Sequence, residues 1–238
     1  MIKEIIVAGI KLNNYSVLEN LTQISKNLEA NVFTTIEEIY MKTILLAKED
    51  ESVKETIESL DVTVIAEAGI LDAVGQATIL RKAEIERRDF FFQLMKILER
   101  NGHTVYILGE TEKEVTAASE YIADRFPRMK MAGSKALEEI VGAEIGVVND
   151  INMIAPDVIL SLLPSPVQEQ FLKEHKTMFL AKIWYGISPE KFMEQRVTFW
   201  DKCVKFIRKY TLRRYIQEDI EQGEVEEESV QDTMEKDT

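Results

Sequence analysis

The sequence predicts an α/β protein whose mostly parallel, Rossmann-like sheet is flanked by helices. Short apolar runs alternate with amphipathic segments of about 10 to 15 residues, a succession typical of parallel sheets with crossover helices. The clearest run, 158–163, is apolar at nearly every position, as expected for a strand buried on both faces. A chain of 238 residues is long enough for one large domain of this class or two small ones.

Composition excludes several kinds of protein. The single cysteine rules out an internal disulfide framework and fits a cytoplasmic location. Two histidines without a cysteine cluster argue against zinc, and no metal or other cofactor is predicted. No apolar stretch reaches the roughly 18 residues that a membrane-spanning helix needs. Nucleic acid is not an expected partner, because phosphate binding needs concentrated Lys and Arg, whereas the net charge here is -13.

The first third of the chain predicts strands that alternate with short helices. Ser16 and Glu19 have the spacing of a capping box, which begins a helix by satisfying two backbone N–H groups. Glu67 follows a short β-branched run, at the carboxyl end of the strand that this run predicts. The predicted elements are strands over 2–12, 31–34 and 62–66, a helix to about Leu28, a helix that carries Ile39 and Ile44, and a helix that ends near Leu60.

The middle of the chain continues the same alternation. Phe91, Leu94 and Leu98 form the apolar face of a predicted helix that Gly102 ends. Thr111 and Glu114 form a second capping box. The predicted elements are a helix over 88–101, a strand over 104–108, a helix from 112 to 125, a weak strand over 129–132 and helical pieces up to 152.

A strand-turn-helix corner at 158–169 is the strongest candidate site in the pattern. The apolar strand ends at Pro164, after which Ser165 is predicted to cap a helix with Pro166 at its first position. Gln168 and Glu169 then fall in the first turn of that helix. Ligands of open α/β sheets bind at the carboxyl ends of strands, and helix N-termini there favour anions. Every α/β protein has several such corners, so the pattern alone does not establish a site.

The chain changes character after a last predicted strand over 178–183. Basic residues interleave with an apolar and aromatic stripe at helical spacing, and ten acidic residues with one lysine then fill a tail that we expect to be disordered. The basic helix either docks on the body through its stripe or lies on an anionic membrane surface. The sequence leaves both readings open. The predicted units are an α/β domain over 1–190, the basic helix over 191–216 and the tail over 217–238. The stripe consists of Phe199, Trp200, Cys203, Phe206, Ile207 and Tyr210.

Six separated motifs occur in a specific order along the chain. They are GIKLNNYS at 9–16, VFT at 32–34, VIAEAG at 64–69, VYILGE at 105–110, RFPRMKMAG at 125–133 and APDVILSLLPSPVQE at 155–169. In this order and spacing they resemble the WecG/TagA/CpsF family of bacterial glycosyltransferases over nearly the whole chain. The resemblance implies transfer of a hexosamine from a UDP-sugar donor to a lipid-linked acceptor at the inner face of the cell membrane, in cell-surface polysaccharide synthesis.

The resemblance also implies roles for individual residues. Glu67 falls where the family has its proposed catalytic base, an aspartate, and a carboxylate is suited to take the proton of an acceptor hydroxyl. The basic helix is the expected peripheral membrane contact. The implied substrate-binding residues are Thr34, Asn13, Gly109, Gln168 and Glu169, and the implied membrane residues are Arg208, Lys209, Arg213 and Arg214.

Several family positions are replaced in this chain. Residues 84–89 read EIERRD where the family has Arg-Val-Thr-Gly-x-Asp, and Arg81, Arg87 and Arg88 are candidates to replace the lost arginine. Glu110 replaces a glycine, Pro164 stands where the family has Gly, and bulky residues precede Gly186. Two hypotheses follow. Either the chain is a glycosyltransferase with an altered donor or acceptor, or it is a catalytically degenerate member that binds a protein or a membrane.

Overall fold

The computed structural model describes residues 3–139, 145–193 and 207–218, and its centre is a six-stranded sheet. The strands are β1 Glu4–Val7, β2 Ile10–Asn13, β3 Thr34–Ile39, β4 Val62–Ile65, β5 Thr104–Gly109, β6 Lys130–Ala136, β7 Val158–Ser161 and β8 Ile183–Gly186. The helices are α1 Val17–Glu29, α2 Met41–Glu49, α3 Glu51–Glu58, α4 Ala68–Ala73, α5 Ile79–Glu86, α6 Asp89–Asn101, α7 Glu112–Arg125, α8 Ile145–Ile154, α9 Val167–His175 and α10 207–218.

The six-stranded sheet confirms the predicted fold class. Its order is β4-β3-β8-β7-β5-β6, and every neighbouring pair is parallel. Helices pack on both faces, so that one layer of the core contains Trp184 and the other contains Tyr185. Because all six strands run the same way, their carboxyl ends meet at one edge of the sheet, where ligands of open α/β sheets bind.

The N-terminal segment differs from the single opening strand that was predicted. Strands β1 and β2 form an antiparallel hairpin that is separate from the parallel sheet. Ala8 and Gly9 connect them, with φ angles of 52° and 74°. Two left-handed residues are typical of the tight turn whose twist matches a hairpin. The hairpin joins the main sheet through Asn13 and Thr63, which exchange hydrogen bonds of 2.7 and 3.2 Å.

Two strands lie later in the chain than predicted. Strand β3 occupies Thr34–Ile39 instead of 31–34, so Ile39 belongs to the strand and not to the helix after it. All six of its residues are buried, but four are polar. Because the strand is not an apolar run, its hydrophobic pattern does not predict it. Strand β8 begins at Ile183, while residues 176–178 form a short 3₁₀ turn.

The predicted helix signals of α1, α6 and α7 are confirmed. Both capping boxes form, at Ser16 with Glu19 and at Thr111 with Glu114. Helix α6 ends at Gly102, which has the left-handed conformation that glycine accepts without a Cβ clash. Local sequence therefore decides where these helices begin and end.

Asp157 connects strands at the opposite, amino edge of the sheet. It accepts hydrogen bonds from the Thr104 backbone N–H at 2.9 Å and from Lys182 Nζ at 2.8 Å, and His103 Nδ1 lies 3.4 Å away. Burial raises the pKa of Asp157, but the Lys182 ammonium, the Thr104 N–H and His103 together outweigh it and hold the pKa at about 2. The charged form of Asp157 is thus the form that the fold stabilises.

We expect Asp157→Asn to lower the free energy of unfolding at pH 7 by about 1 kcal/mol, a figure reduced because solvent screens this partly exposed carboxylate. The folded-state pKa lies below the ordinary value, so the contribution is present above about pH 4 and is lost as pH falls through about 2. Chemical unfolding at pH 7 and at pH 2 checks this. Asp124→Asn, at an 81% exposed side chain, is the control and should change neither value. An equal loss for Asp157→Asn at both pH values would contradict the electrostatic account.

Helix α10 packs against the body of the protein. Leu212 is 0% exposed within the core, Tyr215 and Ile216 pack beside it, and Lys209 forms an ion pair with Asp72 at 3.6 Å. Two residues of the predicted stripe, Ile207 and Tyr210, do not take part in this docking, because their side chains are 61% and 68% exposed. The other stripe residues, and the acidic tail from residue 219 onward, lie outside the described residues, while Gln217 and Glu218 belong to α10. No helix in the described part of the chain is long and apolar enough to cross a membrane.

Candidate functional site

A cavity of about 310 Å³ opens at the carboxyl edge of the sheet. The ends of β3, β4, β7 and β8 reach it, and α2, α9 and α10 contribute its walls. Its lining is rich in charge, with more carboxylates than cations. The charged lining residues are Glu37, Glu38, Glu67, Glu114, Glu190, Lys42, Lys191 and Arg208, and the uncharged polar ones are Tyr40, Thr43, Ser165, Gln168 and Ser188.

The corner after β7 lies at this cavity, but its helix begins differently from the prediction. Helix α9 starts at Val167, Pro166 is the N-cap residue, and no side chain caps the helix. Ser165, which precedes a cis peptide bond to Pro166, does not cap it. Its hydroxyl instead donates a hydrogen bond of 2.6 Å to Glu169 Oε1, and Thr43 Oγ1 lies 3.4 Å from the same hydroxyl oxygen.

Two buried carboxyl groups meet behind this corner. Glu37, near the end of β3, is 1% exposed, and Glu169, in the first turn of α9, is 0% exposed. Burial, and then the charge of Glu169, raise the pKa of Glu37 well above its ordinary value, while the Gln168 amide opposes the shift. The acidic character of the cavity floor is therefore smaller than a count of carboxylates suggests.

Gln168 owes its position to the glycine that ends β8. A Cβ atom on Gly186 would lie 2.5 Å from Gln168 Nε2 and 2.7 Å from its Cδ, so any larger residue would displace the amide. Gly186 is also the register partner of Glu37 across β3 and β8. The bulky residues before it, Trp184 and Tyr185, are fully buried in the two core layers and do not line the cavity.

Glu38 holds two tyrosine hydroxyls at the next position of β3. Its carboxylate accepts hydrogen bonds from Tyr40 at 2.5 Å and from Tyr185 at 2.7 Å. Burial, and then the Glu38 charge, raise the pKa of both phenols well above the ordinary value. Both tyrosines are therefore hydrogen-bond donors at any physiological pH. Glu38 lines the main cavity and also a second cavity of about 30 Å³, which is about one water molecule in size.

Arginines approach that smaller cavity from α5 and from the turn between α5 and α6. Arg88, at φ 56°, places its guanidinium 4.6 Å from the Phe91 ring and donates to the Lys191 carbonyl oxygen at 3.2 Å. Arg81 is buried and forms an ion pair of 2.5 Å with Glu84. Arg87 points away and pairs with Asp89 on the surface. Of the three arginines considered as replacements for the lost family arginine, Arg81 and Arg88 lie beside Glu38.

Glu67, assigned as the base, lines the main cavity. Its Oε2 accepts a hydrogen bond of 2.7 Å from the Met41 backbone N–H, at the first residue of α2. Oε1 makes no hydrogen bond to the described residues. A carboxylate that is anchored by one oxygen, while the other remains available, has the arrangement that a general base needs.

Three of the residues assigned by resemblance lie away from the cavity. Thr34 is at the amino end of β3, about 16 Å along the strand from its carboxyl end, where its hydroxyl bonds to the Val32 carbonyl oxygen and to Asn27. This displacement follows from the misplaced start of β3. Asn13 joins the hairpin to Thr63. Gly109 packs against α7, where a Cβ would lie 2.7 Å from Val115 Cγ2.

The four residues assigned to the membrane have different surroundings on α10. Arg208 lines the cavity, and Lys209 pairs with Asp72. Arg213 is exposed, and Arg214 pairs with Glu218 at 2.7 Å. The membrane contact remains a prediction for this helix.

Sequence reasoning missed the β3 carboxylates and the residues that follow them. Glu37, Glu38, Tyr40 and Lys42 all line the cavity. The available signal was the placement of two adjacent glutamates immediately before a helix, at the carboxyl end of a strand. Within the described residues, no three His, Cys, Asp or Glu side chains come together as a metal site would require.

Comparison with known proteins adds two findings. A sequence profile of the glycosyl transferase WecG/TagA/CpsF family matches residues 5–188. The chain is also 26% identical over 95 residues to the N-acetylglucosaminyldiphosphoundecaprenol N-acetyl-beta-D-mannosaminyltransferases of Staphylococcus aureus strains NCTC 8325 / PS 47, COL and N315. The match covers 40% of this chain and 37% of each relative, so the chain spans little more than a third of the length of these relatives.

Proposed function

The chain belongs to the WecG/TagA/CpsF family of glycosyl transferases, and we propose that it transfers a hexosamine from a UDP-sugar to a lipid-linked acceptor. The observation that carries this proposal is the cavity at the carboxyl edge of the sheet, where Glu67 and Gln168 lie together. The S. aureus relatives named above are N-acetylmannosaminyltransferases that act on a diphosphoundecaprenol-linked acceptor, which supports the same classes of donor and acceptor here.

The proposed roles follow from the chemistry of sugar transfer. Glu67 takes the proton of the acceptor hydroxyl as that oxygen attacks the anomeric carbon, and the bond to the UDP diphosphate breaks with its electrons leaving on the diphosphate. Lys42, Lys191 and Arg208 are the cations that line the cavity, and we assign them to the charge of the diphosphate. Gln168 binds polar groups of the substrate. No metal or cofactor is invoked in this scheme.

A second candidate function has an observation of its own. Five carboxylates line the cavity against three cations, and a diphosphate would meet this excess of negative charge. Two unit charges about 4 Å apart interact by about 4 kcal/mol at an effective dielectric constant near 20, so even part of that repulsion would weaken donor binding strongly. This imbalance favours a catalytically degenerate protein that binds a partner instead.

Titration with UDP, then with UDP-N-acetylmannosamine, by calorimetry distinguishes the two functions. We expect micromolar binding, because Lys42, Lys191 and Arg208 supply the positive charge and the Glu37–Glu169 pair is partly neutralised. An Arg208→Gln variant should weaken binding about tenfold, as expected when one phosphate contact is lost. Arg214→Gln, which alters a cation of the same helix outside the cavity, is the control. No binding up to millimolar UDP would support the degenerate alternative.

A further inference from the structure

We propose that Glu37 and Glu169 share a single proton, and that this buried carboxyl pair positions Gln168 and Ser165 at the cavity. Glu37 has no assigned role in sugar transfer, and Glu169 has only the substrate-binding role that the family resemblance implies. The proposal does not depend on the proposed function. The carboxyl pair positions Gln168 and Ser165 in the cavity whichever ligand the cavity binds.

The two side chains approach from different elements of the fold. Glu37 belongs to β3 and Glu169 to α9, and both are almost completely buried. Gly186, the register partner of Glu37, lies against the amide of Gln168, which precedes Glu169 in α9, and the charge of Glu169 acts on Glu37. Two carboxylates in contact in such a site cannot both be ionised, because each charge loses its hydration and repels the other.

Unpaired atoms point to the same conclusion. Both oxygens of Glu37 and Oε2 of Glu169 are buried without a hydrogen-bond partner among the described residues when both groups are treated as carboxylates. A buried polar atom without a partner is unfavourable, because it has lost its hydrogen bonds to water and gained none in the protein. One proton between Glu37 and Glu169 gives a donor to the pair and satisfies Oε2 of Glu169 together with one oxygen of Glu37.

The surroundings decide which group holds the proton. Glu169 lies in the first turn of α9, where the helix dipole favours a negative charge, and Ser165 donates a hydrogen bond to its Oε1. Glu37 lies inside the sheet, where burial and the neighbouring carboxylate raise its pKa. The proton therefore resides on Glu37, which donates it to the facing oxygen of Glu169.

No cation near the pair replaces the proton in the described structure. The sheet neighbours of Glu37 are Thr63 on β4 and Gly186 on β8, which are uncharged. The charged groups nearest to it across the cavity are those of the lining, and none forms an ion pair with Glu37 or Glu169 among the described residues. These lining groups are Glu38, Lys42, Glu67, Glu114, Glu190, Lys191 and Arg208.

The pair connects directly to two residues that line the cavity. Gln168 lies against Gly186, the register partner of Glu37, and Ser165 donates to Glu169. Loss of the proton would place two negative charges side by side and drive the side chains apart. Gln168 and Ser165 would then move with them, so Glu37 is a positioning residue of the cavity.

Infrared spectroscopy of the whole protein tests the shared proton without any ligand. A protonated carboxylic acid has a carbonyl stretch that is separate from the carboxylate bands, and at pH 7 we expect wild type to show one that Glu37→Gln removes. Glu58→Gln, at a glutamate that bonds the Lys11 N–H outside the cavity, is the control and should keep the band. A band that is absent from wild type, or retained in Glu37→Gln, would overturn the proposal.

The pH dependence of unfolding gives a second readout. Glu37 has a folded-state pKa above its unfolded value, so its contribution to stability is complete below the unfolded pKa and is lost as pH rises through the folded one. We expect wild type to lose stability over this range, and Glu37→Gln to remove that slope because an amide keeps a donor without titrating. Identical slopes in the two proteins would contradict the shared proton.

Two further measurements cover other outcomes. If Glu37→Gln does not fold, Glu169→Gln leaves one carboxylate beside one amide and should likewise lack both the band and the slope. Proton release on adding Mg²⁺ or Mn²⁺ to wild type, but not to Glu37→Gln, would support the proposal, because the cation would displace the proton that the pair holds. A loss of UDP affinity with rising pH that Glu37→Gln removes would link the pair to the proposed function. If UDP does not bind at all, the proposed function is wrong. The infrared and unfolding results then still show whether Glu37 and Glu169 share a proton.

Discussion

Glu67→Gln should lower the rate of sugar transfer by about 10²- to 10⁴-fold, the range that removal of a general base produces. The amide has the shape of the carboxyl group, and its oxygen still accepts the hydrogen bond from the Met41 N–H that anchors Glu67. It cannot take a proton from the acceptor hydroxyl. The loss should therefore appear in kcat, while the free energy of unfolding and the affinity for UDP change little.

Single-turnover measurement of sugar transfer, with UDP binding followed in parallel, checks this expectation. Glu58→Gln is the matched control, because Glu58 also accepts a backbone N–H, from Lys11 at 2.9 Å, and does not line the cavity. Its rate should match wild type. If Glu67→Gln kept the wild-type rate, the base would be another group. If it lost UDP binding and rate together, Glu67 would serve substrate binding.

Leu212→Ala should release helix α10 from the body. Leu212 is fully buried among core residues, and truncating such a leucine costs about 2 to 5 kcal/mol. The helix lies near the end of the described chain and docks through few residues, so this cost falls on its docking and not on the sheet. We expect amide hydrogens of residues 207–218 to exchange at least about tenfold faster, since about 1.4 kcal/mol corresponds to a factor of ten.

Hydrogen exchange read by mass spectrometry measures this change directly. Ile207→Ala removes a similar apolar side chain that is 61% exposed on the same helix, and its exchange should match wild type. Because Arg208 lines the cavity, Leu212→Ala should also weaken UDP binding. Unchanged exchange in Leu212→Ala would mean that the docked helix has another support. Stronger binding of wild type than of Leu212→Ala to anionic vesicles would favour the membrane reading.

Local sequence patterns predicted most of the secondary structure, and the error at β3 has a clear physical cause. Capping boxes and a helix-ending glycine act within a few residues, so the ends of α1, α6 and α7 were predictable. Strand β3 was misplaced because Thr34, Thr35, Glu37 and Glu38 are polar yet buried. Their burial depends on partners in β4, β8 and α9 that a local pattern does not contain.

The candidate site was predicted only in part, for a related reason. The corner with Gln168 and Glu169 and the position of Glu67 were found, since residues after buried strands meet at the carboxyl edge of a parallel sheet. Thr34 was assigned to the same edge but lies at the opposite one, because an error of a few residues in a strand becomes a displacement of many ångströms. Arg208, which was assigned to a membrane contact, also lines the cavity.

The sequence by itself determined the α/β class, the family and the chemistry available at the carboxyl edge, because hydrophobic period, turn residues and motif order are properties of neighbouring residues. Only the tertiary structure decided which of those groups meet. Glu38 receives a hydrogen bond from Tyr185, 147 residues away, and the charge of Glu169 on α9 helps to raise the pKa of Glu37 on β3. The strand order brings β3 beside β8 and then β7, and that order follows from packing of the whole core. Burial then changes the pKa of a carboxyl group, and the residue type alone does not reveal that change.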